Sequence, residues 1–460
     1  MKIQISKDTV MTPLLLAKIM EISIADEARK EKLANYYIGE QQILNRQMSD
    51  SNKPNNRIVH SYGNYITDSI VGYFMGQPVN YAAKGSEYEP LMEELQRILD
   101  YNDEQSENVE LAKDASKYGA AYELVYLDEN ADIRFKYLDA VHCIPVYSNT
   151  LDEDLLYFIR YYNDNIFNPA SRTIEVISAY SIATYQSDSD KQYFFVDEVP
   201  HSFGMVPVNI FLNNLENVGD YELVISLIDA YDKLNSDSVN DFEQFADAYL
   251  TLKGMDGTSS EDVSAMRENR ILLLPTDGEA AWLVKNINDT YFQNTVTTLD
   301  ADIHKFSKVP NMMDQAFGSN LSGIAIKYKL IALENKVAIK EAYFKKGLQR
   351  RIELINNILS LMGNAFEYLG IDIKFHRNLP VNELEAVQMA NAINGLVSDE
   401  TMLSLLPFIN DPAAELEKRD SAFDPSMSVE PIVPLDQNNS MNNEETINGE
   451  EINPDRTQNN

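Results

Sequence analysis

A run of turn-forming residues that gives way, without a break, to a long helical period does most to limit the folds open to this chain. Residues 309–323 hold Pro310, Asn311, Gly318, Ser319, Asn320 and Gly323, which favour turns and resist helix interiors. From Ile324 onward, Leu330, Ala332, Val337, Glu341, Phe344, Leu348, Ile352, Ile355 and Leu359 recur at close to helical spacing, with one polar step. That pattern predicts a helix reaching about Met362. Such a helix is roughly 60 Å long at 1.5 Å per residue, too long to lie within one small core. It also carries Lys327, Lys329, Lys336, Lys340, Lys345, Lys346, Arg350 and Arg351 against only Glu334, Glu341 and Glu353, so the segment is net +5 in a chain of net −34. Taken alone, these cations fit an ordinary solvated face. Their contrast with the rest of the chain also fits a basic rod, entered through a pliable loop and set to meet a polyanion.

The remaining composition narrows the class. At 460 residues the chain exceeds one ordinary core, so at least two packed regions are expected. Hydrophobic content of 44%, with 26 tyrosines, is enough to build them. A single cysteine, Cys143, excludes an intrachain disulfide and fits a reducing compartment. The apolar run 14–24 is interrupted by Lys18 and Glu21, so it predicts an amphipathic helix rather than an export signal. No run of about 18 uncharged apolar residues occurs, so no membrane partner is expected and the protein is read as intracellular when made. Net −34 argues against coating nucleic acid with the general surface, because such binding needs cations at phosphates.

Along the chain, Thr12-Pro13 is a good cap and first-turn pair for one long or two shorter helices over 12–48. Residues 49–56 (SDSNKPNN) look like a linker, and 57–81 like a helix stopped by Gly76-Gln77-Pro78 before a short strand. Two helical patterns follow at 89–101 and 104–118. Residues 121–126, 133–137, 155–162, 173–180, 192–196 and 208–212 are rich in Val, Ile, Tyr and Phe and separated by turn signals, which predicts antiparallel sheet. Helix returns over 220–248, with eight acids, Asp229, Asp232, Asp237 and Asp241 among them, against the one base Lys233. A compact insert at 249–285 should hold a strand at 249–252, a short helix at 261–268 and strands at 271–274 and 281–284. A second helix is expected at 289–307, and after the long helix a strand at 371–375 and small helices over 381–406. Residues 411–460 carry twelve acids and three bases, are rich in Asn and Pro, and are expected to stay disordered.

Catalytic motifs are missing. The chain has no P-loop, GxGxxG, HExxH or nucleophile elbow, and its five histidines are scattered. The adjacent pair His142-Cys143 is more often core filler than a metal site, and Ser187–Asp190 reads as a solvated hairpin tip. No enzyme activity and no cofactor or metal are therefore expected. A nuclease or protease would need clustered carboxylates or a nucleophile–base pair.

Four blocks resemble the portal proteins of tailed double-stranded DNA bacteriophages, in the siphophage branch. They are residues 56–81 (NRIVHSYGNYITDSIVGYFMGQPVNY), 111–146 around KYGAAYELVYLDENADIRFKYLDA, 207–250 (PVNIFLNNLENVGDYELVISLIDAYDKLNSDSVNDFEQFADAYL) and 309–334 (VPNMMDQAFGSNLSGIAIKYKLIALE). They occur in the family's order and span most of residues 12–380. The resemblance implies an α+β, mainly helical fold. Its parts would be N-terminal helices and a β-rich wing at 1–215, stem helices at 216–248 and 289–309, and a clip at 249–288. A tunnel loop would follow at 310–323, a long helix returning to the wing at 324–380, a crown at 381–420 and an acidic tail at 421–460. It further implies a ring of twelve copies at one capsid vertex, with double-stranded DNA in its channel. Terminase large subunit, major capsid and scaffolding proteins and a head-completion adaptor would be the partners. The alternative is another head-connector or scaffold-interacting minor capsid protein, though adaptors are much shorter. On this resemblance Asn311, Met312, Met313, Asp314, Gln315, Ser319 and Asn320 belong to the channel loop. Lys327, Lys336, Lys340 and Arg350 are expected at subunit contacts or near the bore, and the stem acids are expected to repel phosphate along it.

Overall fold

A computed structural model of the chain describes residues 2–419 other than 51–52, 164–170, 188–191, 246–248, 254–258, 260, 262–263, 265–278, 284–288, 313–322, 364–365, 379–382, 407–408, 410–411, 413–414 and 417. The fold is α+β and divides into two compact units, 1–379 and 380–460.

The first unit opens with β1 (Ile3–Ile5) and α1 (Pro13–Ile38). The Thr12 hydroxyl accepts the Leu15 N–H at 3.2 Å, Pro13 fills the first turn, and Gly39 closes the helix at φ +86°. A 3-10 turn, Gln42–Asn45, follows where the sequence left a second helix open. Next come α2 (Tyr62–Met75), stopped at Gly76, and β2 (Asn80–Ala83), then α3 (Glu89–Tyr101) and α4 (Glu104–Tyr118).

The β-rich region holds more strands than the sequence suggested. Strands β3 (Ala120–Leu127), β4 (Ile133–Leu138), β5 (Cys143–Ser148), β6 (Leu155–Tyr162), β7 (Arg172–Ile177), β8 (Ser181–Ser187), β9 (Tyr193–Pro200) and β10 (Val208–Leu212) form two sheets. One has the order β1-β5-β6-β7-β8-β9 and the other β10-β3-β4. All described ladders in them are antiparallel except β1 on β5. The missed strands β1, β5 and β8 are short or polar, or interrupted by Pro145. What makes each a strand is a ladder partner rather than its own composition.

After a 3-10 turn at Glu222–Val224 comes α5 (Ile225–Phe245). The antiparallel pair β11 (Tyr249–Lys253) and β12 (Glu279–Leu283) and α6 (Asp289–Ser307) follow, with α6 packed along α5. Glu261 and Ser264 are helical, whereas the strand expected at 271–274 lies outside the described residues. The long helix α7 (Gly323–Leu361) leads to β13 (Ile371–Lys374), which returns to pair antiparallel with β2. In the second unit α8 (Glu383–Ile393) and α9 (Asp399–Leu403) are short helices. The acidic tail 421–460 lies outside the described residues.

Two cores hold the first unit. The smaller packs Leu16, Ile19 and Met20 of α1 against Ile144, Val146, Ile159, Ile174 and Val176 of the six-stranded sheet. The larger gathers α2, α3, α4, β3, β4 and β10 around α7, which buries Leu330, Leu333, Val337, Phe344, Leu348, Ile352, Ile355 and Leu359. Ala332, assigned to that stripe from sequence, is exposed, and Leu333 takes its place. Where α7 crosses β10, Gly347 admits the Phe211 ring, because a Cβ there would lie 2.4 Å from Phe211 Cδ1. Phe211 and Phe344 then pack with ring centroids 4.6 Å apart.

Candidate functional site

The loop singled out in the sequence springs from a junction of α2, α6 and α7. Helix α6 ends at Ser307, Lys308 turns the chain with φ +64°, and Val309 is fully buried. His304 Nδ1 donates to the Val309 carbonyl at 2.9 Å. The Tyr65 hydroxyl of α2 donates to the Pro310 carbonyl at 3.2 Å and accepts the Met312 N–H at 3.0 Å. From α7, Lys336 Nζ donates to the Ser307 carbonyl at 2.9 Å. The loop therefore leaves a fixed base at Met312, whose side chain is 41% exposed. Met313, Asp314, Gln315, Ser319 and Asn320 lie outside the described residues.

Below that base the basic helix turns inward. Lys340 is 1% exposed and pairs with Asp220 Oδ2 at 2.7 Å, while Lys336 reaches Asp220 Oδ1 at 3.1 Å and the Asp220 carbonyl at 3.1 Å. Ser116 Oγ at 2.6 Å and Asn213 Nδ2 at 3.0 Å complete the carboxylate's shell. Burial alone would push this carboxyl up, but Lys336 and Lys340 outweigh it and hold the group well below the usual carboxylate range.

Farther along α7, Arg351 donates to Glu123 through Nε (3.0 Å) and Nη2 (2.6 Å), to Glu104 through Nη1 (3.0 Å) and to Asn108 (2.9 Å). Its guanidinium lies 4.4 Å from the Phe135 ring centroid. Glu123 also accepts from Asn209 at 2.7 Å, and Glu104 from the Tyr81 hydroxyl at 2.6 Å. A third link joins Arg377 to Glu334 (3.0 Å) and Glu341 (2.6 Å), with the Tyr73 hydroxyl donating to Glu334 at 2.7 Å.

The expectation that Lys336 and Lys340 meet a neighbouring subunit or the bore is thus corrected. Lys340 and Arg351 are structural cations inside the chain's own core, and Lys336 spends its donors on Asp220 and Ser307. A buried charge survives only when paired and hydrogen-bonded, and both conditions are met here. Lys345 donates to the Ile373 carbonyl at 2.9 Å, tying α7 to β13, and Arg350 pairs with Glu353 on its own helix at 3.1 Å. Lys327 and Lys346 are exposed, and Lys329 is half-buried.

The sequence held a signal for this. Lys340 and Arg351 fall on the apolar stripe itself, in the series Val337, Lys340, Phe344, Leu348, Arg351, Ile355. Their partner Glu123 sits on the core face of β3 with Ala121 and Val125, all three fully buried.

The acids of α5 are likewise engaged. Backbone N–H groups of Asn56, Ile58 and His60 donate to Asn240 Oδ1 (2.7 Å), Ser236 Oγ (2.9 Å) and Asp232 Oδ1 (3.0 Å). Two residues of extended chain advance about 6.6 Å and four residues of helix about 6.0 Å, so the segment zips along the helix in register. Asp232 is buried, which pushes its carboxyl up, and His60 Nδ1 at 2.8 Å counteracts that. Asp229 accepts from the Tyr36 hydroxyl, and Asp237, half-exposed, from Arg46 at 2.6 Å. Asp241 is half-buried. Asp232 therefore cannot line a bore, and Asn55 and Asn56 are fastened to Arg46 and α5 rather than free in a linker.

Among the described residues no group of His, Cys, Asp or Glu is arranged to hold a metal, and no helix is long and apolar enough to cross a membrane. His142 contacts Asp139 at 2.9 Å, and Cys143 is buried. The geometry is one of anchoring: paired helices α5 and α6, a loop fixed at its base, and a long helix bolted inside by ion pairs.

Known proteins are similar to this sequence along most of its length. The family described as "Phage portal protein, SPP1 Gp6-like" matches residues 16–422. The portal protein of Bacillus phage SPP1 is 24% identical over 408 residues, covering 85% of this chain and 80% of that protein. The portal protein of Clostridium phage phiCD119 is 25% identical over 439 residues, covering 88% and 95%. With the match running from α1 into the second unit, the chain belongs to the phage portal protein family.

Proposed function

We propose that twelve copies of this chain close into a ring at one vertex of a tailed-phage capsid, and that double-stranded DNA passes through the ring in packaging and ejection. The observation that carries this reading is the fixed base of the 310–323 loop between α6 and α7, in a chain whose family is that of the phage portals. A segment held firmly at its root can reach toward a central axis without disturbing the scaffold behind it.

On this reading 1–215 is the N-terminal helices and, with β13, the wing, α5 and α6 are the stem, 249–288 the clip, α7 the brace behind the loop and 381–420 the crown. The clip docks first the terminase large subunit and later a head-completion adaptor, while the wing and crown meet major capsid and scaffolding proteins. The role is structural, with the packaging ATP hydrolysed by the terminase. Twelve subunits of net −34 give a formal −408, a field that keeps DNA sliding rather than bound. Exposed carboxylates such as Glu243 contribute to that field. Gold-labelled antibody against the chain should mark a single vertex of each assembled capsid. Label spread over many vertices, or absent from capsids, would reject the assignment.

A further inference from the structure

The outward face of α7 carries a seam that nothing in the described residues covers. Tyr328, Ile331, Asn335, Ala338 and Ala342 are all exposed and follow one another at steps of three, four, three and four residues. That 3.5-residue period is the one by which two helices pack along each other. Ile339 flanks the seam, and the three largest apolar members are 72% (Tyr328), 54% (Ile331) and 53% (Ile339) exposed. Ile339, Ala342, Tyr343 and Lys346, at positions i, i+3, i+4 and i+7, line a shallow hollow, which is the arrangement that receives a side-chain knob from a facing helix. The seam ends where Lys345 bends away to β13, so it is bounded in length at about 27 Å by the helix rise.

Charge points to the occupant. Lys327 and Lys346 stand at the two ends of the seam, exposed, and neither makes an ion pair among the described residues. The other cations of the helix that bear on the core, Lys336, Lys340 and Arg351, already have carboxylates of their own. A chain of net −34 presents to its neighbours a surface dominated by carboxylates. Lys346 lies over the Tyr343 ring at 5.4 Å but has no carboxylate partner. An apolar seam bracketed by two lysines without ion pairs is complementary to that surface, and differs from it, as a head-to-tail contact between identical subunits requires.

We infer that this seam, Tyr328 to Lys346 on α7, is the surface by which one subunit receives an acidic-flanked helix of the next copy of the chain. The inference rests on the ring reading and specifies which residues make the contact: the outward apolar seam and Lys327 and Lys346, in place of Lys336 and Lys340.

Wild-type protein and the double variant Ile331→Glu/Ile339→Glu should be compared by native mass spectrometry, with circular dichroism and thermal melting to check folding. The wild type is expected as rings. The variant, with both substitutions on an exposed face, should melt like the wild type but lose ring assembly by roughly tenfold or more, the size of effect seen when central contact residues are disrupted. A folded variant that forms rings as well as the wild type overturns the seam and leaves the ring reading standing. Wild type that never forms rings overturns both.

A benzoylphenylalanine placed at position 339 gives an independent readout that does not depend on the double variant folding. Light should join one copy to a helix of another, identified by peptide mass. Joining within one chain to residues 383–403, joining to a different protein, or no joining within assembled rings would each reject the second copy as occupant.

Discussion

Removing residues 312–319 should leave ring assembly and incorporation into capsids close to normal while packaged DNA falls to background. The structure motivates both halves of that expectation. The bonds of Tyr65, His304 and Lys336 to the Pro310, Val309 and Ser307 carbonyls survive the deletion, which removes only the Met312 N–H bond to Tyr65, and Val309 and Leu333 stay buried in the core beneath. The deleted stretch contains one acid, Asp314, and no Lys or Arg. On the proposed ring reading, any contact of this stretch with DNA would run through polar groups such as Gln315 and the backbone amides rather than through a strong ionic grip. A loop built to hold phosphate would carry several cations, each steepening the salt dependence by roughly 0.9 log units per log unit of salt. Nuclease-protected DNA is the quantity to measure. Variant particles that package and retain full-length genomes would make the loop a simple connection.

Arg351→Met should cost about 3–5 kcal/mol, the size expected when one member of a buried ion pair is removed and its partner is stranded. Glu123 would keep only Asn209, and Glu104 only Tyr81 and Asn108, inside a core otherwise made of Phe135, Phe211 and Leu348. Lys340→Met should cost less, because Lys336 still reaches Asp220. Urea unfolding of the two variants gives the order directly, and equal midpoints for wild type and Arg351→Met would refute the bolting role. The Asp220 cluster adds a pH signature. Its carboxyl titrates below the unfolded value of 3.8, so its stabilisation is fully present above that pH and is lost as pH falls through the lower folded value. The stability gap between wild type and Asp220→Asn should thus hold steady through neutral and mildly acidic solution and narrow below about pH 4.

How much of this was legible in the sequence varies by residue type. The helices bounded by local chemistry were readable: Thr12-Pro13 starts α1, Gly76-Gln77-Pro78 stops α2, and 89–101, 104–118 and 289–307 coincide with α3, α4 and α6. Strand β1 was not readable, because three residues become a strand only by pairing with β5, more than 140 residues away. The charges failed for a different reason. Counting Lys and Arg along α7 gave a basic rod, but charge in a helix matters by face. On that count Lys340, on the Phe344 stripe, and Lys346, on the outward seam, looked alike, yet one bolts the core and the other waits on the surface. The acids of α5 show the same lesson from the other sign, since Asp232 serves the backbone of His60 rather than a solvent-filled bore.

The central claim is the closed ring, and native mass spectrometry of the purified protein with electron microscopy of the same sample tests it most directly. The account predicts a species near 630 kDa, twelve times the 52.2 kDa chain, with a central hole. Monomers or dimers alone, across micromolar concentrations and moderate salt, would contradict it.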